Sequence, residues 1–336
     1  MALLARRRHR WHDRAGPPRP AGSNVWEVGL KIAVTGASGL VGQALVRQWS
    51  GTHHSIVAIG RRPPVPAGVI MPGTPPRFAA WDPGAGTLDP RALEGVDAVV
   101  HLAGESLAAR RWDAALKARV RASRVLGTQL VARAISALPV RPRVLVCASA
   151  IGYYGNRGDE ILTEDSAPGV GFLPDTCRAW EAAADAARDA GIRVVHVRIG
   201  IVLARTGGAL AKMLPPFRMG AGGTLGSGRQ WMSWISLADL VQVFDRALHD
   251  DTLDGPLNAV APTPVTNAVF SRALAAAVHR PALCRVPATV LRLILGAERA
   301  DALLLSSTRV MPARLQAAGH PFQHEDVATA LREILR

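Results

Sequence analysis

Three glycines near the start of the chain, Gly36, Gly39 and Gly42, have the spacing of a phosphate-binding turn. A short β-type run over residues 32–34 precedes them, and a helical pattern of apolar residues follows. In such a unit the first glycine permits a tight turn, the second lets backbone approach a pyrophosphate, and the third lets the helix pack against the strand. Backbone N–H groups at the helix N-terminus then face the phosphates of a dinucleotide. The residues predicted to line this site are Gly36, Ser38, Gly39, Leu40 and Gly42.

The end of the next β-type run, residues 55–59, indicates which dinucleotide binds. A site selective for NAD usually places Asp or Glu here, to accept a hydrogen bond from the ribose 2′-hydroxyl. This chain instead has Gly60, Arg61 and Arg62, with no acid nearby. Two guanidinium groups suit a 2′-phosphate, because they donate charge-assisted hydrogen bonds in pairs. The sequence therefore predicts NADP(H), although both arginines could also be solvated loop charges.

Two further strands are predicted to end in residues suited to the same ligand. Trp81 and Asp82 follow a β-type run over residues 77–80, where Asp82 could accept from the adenine amino group or hold a turn before proline. The apolar run over residues 97–102 is typical of a strand buried on both faces. Small residues at its end would let backbone lie beside the nicotinamide ribose, whereas His101 is expected to be structural. The predicted cofactor contacts here are Leu102, Ala103 and Gly104.

A serine follows the next predicted strand, residues 143–148, at the edge where nicotinamide should lie. The Ser149 hydroxyl could contact the cofactor, donate to a substrate carbonyl oxygen and stabilise the charge that develops there. A structural capping role is the alternative for this residue.

These positions require a sheet whose strands end at one common edge. From Leu30 onward strands alternate with helices, and long helical patterns cover residues 113–137 and 174–190. The alternation predicts an α/β fold with a doubly wound parallel sheet of the Rossmann type, in which ligands bind beyond the carboxyl ends of the strands. The predicted strands are residues 32–34, 55–59, 77–80, 97–102, 143–148 and 193–198.

The chain is expected to divide into three parts. Residues 1–29 cannot bury an apolar face and are predicted to be a disordered basic extension. Three interpretations of this extension are open. The predicted start site could lie too far upstream, or the extension could be a basic tail that touches nucleic acid or acidic surfaces, or it could be a targeting peptide. Residues 30–205 are predicted to form the NADP-binding Rossmann domain. Residues 206–336, which begin with a glycine-rich loop over 220–228, are predicted to form a smaller α+β lobe above the carboxyl edge of the sheet.

Composition limits the possible function classes. The 336-residue chain is 49% hydrophobic and 20% charged, which is ordinary for an α/β enzyme. Its formal net charge of +14 comes mainly from arginine, and we attribute it to genomic base composition. We expect no nucleic-acid partner, because no nucleic-acid-binding fold is visible. The cysteines show neither a disulfide framework nor zinc spacing, and no apolar run is long enough for a membrane helix. A cytoplasmic protein with no metal site is therefore expected, its oligomeric state being open.

After residue 30 the chain resembles the atypical extended short-chain dehydrogenases/reductases, in particular their YfcH-like "epimerase family" group. The matching stretches follow the order of that family and cover essentially all of this part of the chain. The resemblance implies an NADP-binding Rossmann domain with a small C-terminal lobe, and it implies no particular substrate. The matching stretches are TGASGLVG (35–42), WDP (81–83), HLAGE (101–105), RW (111–112), SR (123–124), SAIGYYG (149–155), CRAWE (177–181), RIGIVL (198–203), WISLADL (234–240) and RVMPARL (309–315).

The resemblance also implies a catalytic pair that this chain lacks. Ordinary members use Tyr-x-x-x-Lys, in which the tyrosine is the acid/base and the lysine lowers its pKa and binds the nicotinamide ribose. Alignment on Glu181 puts Leu173 and Cys177 at those two positions, and Arg124 where a supporting asparagine is usual. Ser149 lies one residue early unless the stretch that follows it contains an insertion. The usual proton-transfer mechanism therefore does not transfer to this chain.

Other polar residues remain as candidates for the chemistry. Arg124 could orient an anionic group or bind a cofactor phosphate. Tyr153 or Tyr154 could donate a proton, or could simply pack. Cys177, in the first turn of a predicted helix, could be a thiolate or an inert buried thiol. The predicted catalytic residues are Ser149, Tyr153, Tyr154, Arg124 and Cys177.

Substrate contacts are predicted on both sides of the site. Glu105 and Arg111 follow the strand over residues 97–102 and could reach substrate or pair with one another. Trp231 and Trp234 in the smaller lobe could enclose a ligand. Two function classes follow: an NADP(H)-dependent oxidoreductase or epimerase that acts on a small carbonyl or sugar-like molecule, and a non-catalytic NADP(H)-responsive regulator or binding protein. The enclosing tryptophans favour the enzyme.

Overall fold

The structure, a computed structural model, describes residues 29–61, 75–107 and 111–336. The predicted basic extension, apart from Gly29, and Arg62 lie outside these residues. The described strands are β1 (Lys31–Thr35), β2 (Ser55–Gly60), β3 (Arg77–Asp82), β4 (Thr87–Leu88), β5 (Ala98–His101), β6 (Val144–Ala150), β7 (Ile161–Leu162), β8 (Arg193–Ile199), β9 (Ile201–Leu203), β10 (Gly223–Leu225), β11 (Trp231–Met232), β12 (Trp234–Ser236), β13 (Gly255–Ala259), β14 (Val265–Thr266), β15 (Cys284–Val286) and β16 (Arg309–Val310). The described α-helices are α1 (Leu40–Ser50), α2 (Ala114–Ser136), α3 (Phe172–Ala182), α4 (Asp185–Asp189), α5 (Gly208–Arg218), α6 (Leu237–His249), α7 (Asn267–Ala277), α8 (Ala288–Leu295), α9 (Ala297–Ala300), α10 (Ala313–Ala317) and α11 (Val327–Leu335).

An eight-stranded sheet in the order β13-β8-β6-β5-β1-β2-β3-β4 organises the fold. Its strand pairs are parallel except for the antiparallel pair β3–β4. The predicted doubly wound parallel sheet is confirmed. Chain order reverses at β1, where Thr35 lies opposite Ile59 of β2 and His101 of β5. Ligands of such sheets bind in the crevice outside this reversal point.

Helices cover both faces of the sheet, which is why the central strands are almost entirely apolar. On one face α1 and α6 pack together, with Trp49 and Phe244 in the shared core. On the other face α2 and α4 contribute Ile135 and Ala187 to a second core. The long helix α2 begins where Asp113 Oδ1 accepts a hydrogen bond from the N–H of Leu116, a normal N-cap.

The structure differs from the sequence predictions at several boundaries. The single helix predicted over residues 174–190 is two helices, α3 and α4, with a break at Ala183 and Ala184. The predicted loop 220–228 contains β10, which pairs with β15. Trp81 and Asp82 belong to β3 instead of following it. Local pattern does not show these differences, because tertiary pairing decides where a strand or a helix stops.

Part of the predicted smaller lobe returns to the main sheet. Strand β13 pairs with β8, and α6 packs on β6 and β8. A third core, around Trp234 and Phe270, belongs to the remaining C-terminal elements. The domain boundary near residue 205 stays a prediction, because β13 and α6, which follow it, pack with the main sheet. Among the described helices, none combines the length and the apolar character needed to cross a bilayer.

Candidate functional site

The glycine turn between β1 and α1 has the predicted backbone geometry. Gly36 has a φ of +70°, in the left-handed region that favours glycine. A Cβ on Gly36 would lie 2.9 Å from the backbone nitrogen of Ala103, and a Cβ on Gly42 would collide with the carbonyl oxygen of Gly36. Helix α1 starts after Gly39 with no side-chain cap, so the N–H groups of its first turn are left for another acceptor. These features fit the phosphates of a dinucleotide.

A threonine and a histidine join this turn to the loop after β5. Thr35 Oγ1 accepts hydrogen bonds from the N–H groups of Leu102 and Ala103 at 3.1 and 3.4 Å. The same oxygen lies 2.7 Å from His101 Nδ1. Burial lowers the pKa of His101 to about 4, so the ring is neutral at physiological pH. Thr35 thus holds the backbone of Leu102 and Ala103 beside the glycine turn, and His101 supports Thr35.

The residues predicted to bind the adenosine end have different environments. Arg61 is exposed directly after β2, next to the glycine turn at the same sheet edge. Asp82 Oδ1 accepts from the N–H groups of Gly84 and Ala85 at 2.8 and 3.2 Å. Asp82 thus has the turn-holding role that was its alternative. Trp81 is only 6% exposed and packs edge-on against His101, so its ring belongs to the core.

A cavity of about 590 Å³ lies where the carboxyl ends of β6 and β8 meet α3 and the C-terminal elements. Ala150, Ile199 and Gly200 form its wall at the sheet edge. Helix α3 follows Gly171, whose φ is +114°, and Pro174 fits its first turn because that turn needs no intrahelical donor there. Helix α3 therefore presents Leu173, Thr176, Cys177 and Trp180 to the cavity.

A buried polar network adjoins this cavity. Ser149 Oγ donates to Glu181 Oε1 at 2.6 Å, and Arg198 donates to both oxygens of the same carboxylate at 2.9 Å. Burial alone would lower the pKa of Arg198, but hydrogen bonding to Glu181 and the charge of its carboxylate outweigh burial and raise it. The Ser149 proton is held by a carboxylate in this arrangement, so donation to a substrate carbonyl requires the hydroxyl to turn away from Glu181, and that role stays a prediction. The hydroxyl oxygen can still accept.

The two tyrosines have unequal positions. Tyr154 is fully buried, donates to Asn258 Oδ1 at 2.7 Å and accepts from Arg198 at 3.0 Å. Burial raises the pKa of Tyr154 to about 12. Its proposed role as proton donor to a substrate is therefore wrong, since it is a structural member of the network. Tyr153 is half-buried with the Arg198 guanidinium 3.5 Å from its ring centre, and its role stays a prediction.

Cys177 lines the cavity, but it is not poised as a thiolate. It is the sixth residue of α3 and not part of its first turn, and its Sγ donates to the carbonyl oxygen of Ala150 at 3.8 Å. Burial raises the pKa of Cys177 to about 12. This environment favours the inert buried thiol, and a catalytic role for Cys177 stays a prediction.

Arg124 also lines the cavity, and its guanidinium is already engaged. Nη1 donates to the carbonyl oxygens of Glu105 and Val120 at 3.0 and 3.2 Å. The group lies 5.0 Å from the ring centre of Trp180, and burial lowers its pKa. Arg124 thus anchors the loop after β5 to α2 at the cavity wall.

Of the four residues predicted to contact substrate, only Trp231 lines the cavity. Glu105 forms an ion pair with Arg119 at 3.2 Å, not with Arg111, and neither Glu105 nor Arg111 lines the cavity. Trp231 lines the cavity and donates to Asp159. Trp234 is fully buried in the third core and donates to the carbonyl oxygen of Thr263, so its predicted contact with substrate is wrong.

Sequence reasoning gave no role to several residues of the site. Trp112, Trp180, Glu181 and Arg198 all lie within the stretches that carry the family resemblance, which was the available signal. Periodicity could not reveal that Glu181 and Arg198 pair, because they lie on α3 and β8. Among the described residues, no group of three or more His, Cys, Asp or Glu could hold a metal ion.

Comparison with known proteins decides the family. Residues 32–258 match the NAD dependent epimerase/dehydratase family, and residues 286–334 match a domain of unknown function. The chain belongs to the NAD dependent epimerase/dehydratase family. Epimerase family protein Mb2239 from Mycobacterium bovis is 41% identical over 300 residues, which cover 89% of this chain and 96% of that protein. The predicted family resemblance is confirmed.

Two solved structures carry the same fold. The human epimerase family protein SDR39U1, crystallised with NADPH, is 34% identical with a TM-score of 0.79, and the match covers 91% of this chain and 99% of the human chain. A nucleoside-diphosphate sugar epimerase from Corynebacterium glutamicum is 37% identical with a TM-score of 0.73. That match covers 92% of this chain and 58% of the bacterial one. The NADPH in the human protein agrees with the cofactor that the sequence of this chain predicts.

Proposed function

We propose that this chain binds NADP(H) and acts as an oxidoreductase or epimerase on a small carbonyl or sugar-like substrate. The observation that supports this proposal most strongly is that the glycine turn and the cavity lie at the same edge of the sheet. The glycine turn at the end of β1 and the cavity at the ends of β6 and β8 both open at the carboxyl edge of one parallel sheet. A dinucleotide held by the turn could therefore extend its reactive ring towards a molecule in the cavity. The NADPH-bound human relative supports the choice of cofactor.

Each part of the site has a role in this proposal. The Gly36–Gly42 turn and the N-terminus of α1 hold the phosphates, and Arg61 lies next to them at the sheet edge for a 2′-phosphate. When bound, the nicotinamide supplies a hydride acceptor or donor. The apolar cavity excludes water from the substrate. Ser149, next to the cavity-lining Ala150, would pass a proton between the substrate oxygen and Glu181, towards the substrate in reduction and away from it in oxidation, while Arg198 holds that carboxylate in place.

NADPH is expected to bind more tightly than NADH, and calorimetric titration of both measures this. Arg61→Ala should weaken NADPH binding by about 10- to 100-fold, because one charge-assisted contact contributes about 1.5–3 kcal/mol. NADH has no 2′-phosphate, so its affinity for the same variant should be unchanged. Equal affinities for NADH and NADPH in the unaltered protein would contradict the proposal.

Ser149→Ala is expected to lower kcat about 100-fold, because general acid–base groups typically contribute that much or more. Ser50→Ala is the matched control, since Ser50 is also a buried serine but ends helix α1 and does not line the cavity, and it should change kcat by less than about threefold. NADPH oxidation with a panel of aldehydes, ketones and nucleotide sugars provides the assay. Titration with NADPH confirms that each variant still binds cofactor.

A regulator that senses NADP(H) is the second candidate. The observation that favours it is that Leu173 and Cys177, at the positions of the family's usual catalytic pair, give the cavity an apolar side chain and an inert thiol. Tight NADPH binding that changes the conformation, with no turnover across the panel, would make this the better assignment.

A further inference from the structure

We propose that the cavity takes an uncharged, largely apolar carbonyl compound and not a nucleoside diphosphate sugar. This inference rests on the proposed function, whose substrate class it narrows. It concerns the cavity at the ends of β6 and β8, and it follows from the apolar side chains that line the cavity, from its charges and from the polar groups that are already bonded.

Large apolar side chains dominate the cavity wall. Four aromatic residues surround it, of which Trp112 and Phe172 pack edge-to-face with ring centres 5.3 Å apart. Aliphatic side chains fill most of the remaining wall. A sugar would bury its hydroxyl groups against these surfaces without partners, which costs free energy for each group. An alkyl or aryl ligand would instead gain free energy from the burial. The aromatic lining residues are Trp112, Phe172, Trp180 and Trp231.

The charged side chains described along the wall provide no free cation for an anion. Among the described lining residues, the charged side chains are Arg124, Glu298 and Asp301. Arg124 is committed to two backbone carbonyls, as described above. Glu298 pairs with Lys117, and Asp301 pairs with Arg292, each at 2.9 Å. A diphosphate would thus enter a cavity whose charged lining side chains, among the described residues, are already paired or hydrogen-bonded within the protein. Sites that bind such groups normally provide several free arginines or lysines. The uncapped N-terminus of α3 supplies backbone N–H groups at this wall, but no full positive charge.

Polar lining side chains are mostly bonded within the protein. Ser233 Oγ donates to the carbonyl oxygen of Thr308 and accepts from the N–H of Val310, both at 2.8 Å. Asn267 Oδ1 accepts from the N–H of Leu225, and Thr308 Oγ1 donates to the carbonyl oxygen of Gly155. Among the described lining side chains, Thr176 Oγ1 and Trp180 Nε1 are buried without a hydrogen-bond partner, and two such groups are too few for the several hydroxyls of a sugar. The wall can therefore satisfy one carbonyl or hydroxyl oxygen of an otherwise apolar ligand.

Two ketones of nearly equal shape test the proposal. They are para-butylacetophenone, which is neutral, and para-acetylphenylbutanoate, which carries a carboxylate at the end of the same chain. Calorimetry and tryptophan fluorescence measure the binding of each, and of UDP-glucose, to the full chain with and without NADPH. We expect the neutral ketone to bind at least about tenfold more tightly than either anion. Equal or tighter binding of the carboxylate or of UDP-glucose, or no saturable binding of the neutral ketone, overturns the proposal.

A charge placed inside the cavity supplies the matched control. Met213 lines the cavity, whereas Met219, at the end of the same helix α5, is 75% exposed. Met213→Lys should remove or reverse the preference for the neutral ketone, and Met219→Lys should leave it unchanged. An unchanged preference in a folded Met213→Lys protein would assign the binding to another place and overturn the proposal. If the unaltered protein prefers the neutral ketone but does not bind NADPH, the proposed function is refuted, whereas the assignment of this cavity is not.

Discussion

Gly36→Ala is expected to weaken NADPH binding by at least about 100-fold, which is roughly 2.7 kcal/mol. Two physical effects combine at this position. A φ of +70° is unfavourable for alanine, and the new Cβ would lie 2.9 Å from the backbone nitrogen of Ala103 and the carbonyl carbon of Leu102. The turn and the loop after β5 must then move apart. These are the two segments proposed to contact the dinucleotide, so their separation should disrupt the predicted phosphate site.

Gly86→Ala separates the two effects. Gly86 has a φ of +67°, but a Cβ there would meet nothing within 4 Å. It therefore carries the same backbone penalty without the collision, and NADPH affinity should stay within about twofold of the unaltered protein. Calorimetric titration gives the affinities, and thermal unfolding shows whether each variant is folded. A folded Gly36→Ala protein with normal NADPH affinity would show that the turn does not bind the phosphates.

Arg198→Met is expected to lower the free energy of unfolding by about 3–5 kcal/mol, because it leaves the Glu181 carboxylate buried without its partner. The Arg198 side chain is 3% exposed and that of Glu181 13%, so water cannot replace the lost hydrogen bonds. Tyr154 would lose a donor as well. Urea unfolding of the two proteins measures the difference.

The exposed pair Arg292–Asp301 is the natural control. Its side chains are 46% and 48% exposed, and its separation of 2.9 Å equals that of the buried pair. Arg292→Met should therefore cost less than about 1 kcal/mol. The double variant Arg198→Met/Glu181→Gln should recover part of the loss, since it removes the uncompensated charge. If Arg198→Met and Arg292→Met lower the free energy of unfolding equally, burial does not make the Arg198–Glu181 pair more important for stability than an exposed pair.

Local pattern was sufficient for the sheet and the glycine turn. The apolar runs that became β1, β5, β6 and β8 were predicted to within a few residues, because strands buried on both faces must be continuously apolar. Gly42 could be assigned from spacing alone, since its contacts are with Gly36 and Ala37 of the same strand–turn–helix unit, and the left-handed φ of Gly36 is likewise a local property of the turn.

The candidate catalytic residues could not be separated in this way. Tyr153 and Tyr154 are neighbours in sequence, yet only Tyr154 is fully buried between Asn258 and Arg198. Trp231 and Trp234 are three residues apart, yet one lines the cavity and the other lies in a core. Position within a motif gives neither burial nor hydrogen-bond partners, and these decide whether a side chain can exchange a proton or touch a ligand.

The sequence by itself determined the family, the parallel sheet and the phosphate turn, because each depends on short-range pattern along the chain. Only the tertiary structure decided what surrounds each polar group. Ser149, Glu181 and Arg198 come together from β6, α3 and β8, and the apolar cavity forms where those elements meet residues after 205. Contacts between segments far apart in the chain leave no periodic signal, so burial, pKa shifts and cavity chemistry appear only once the chain is folded.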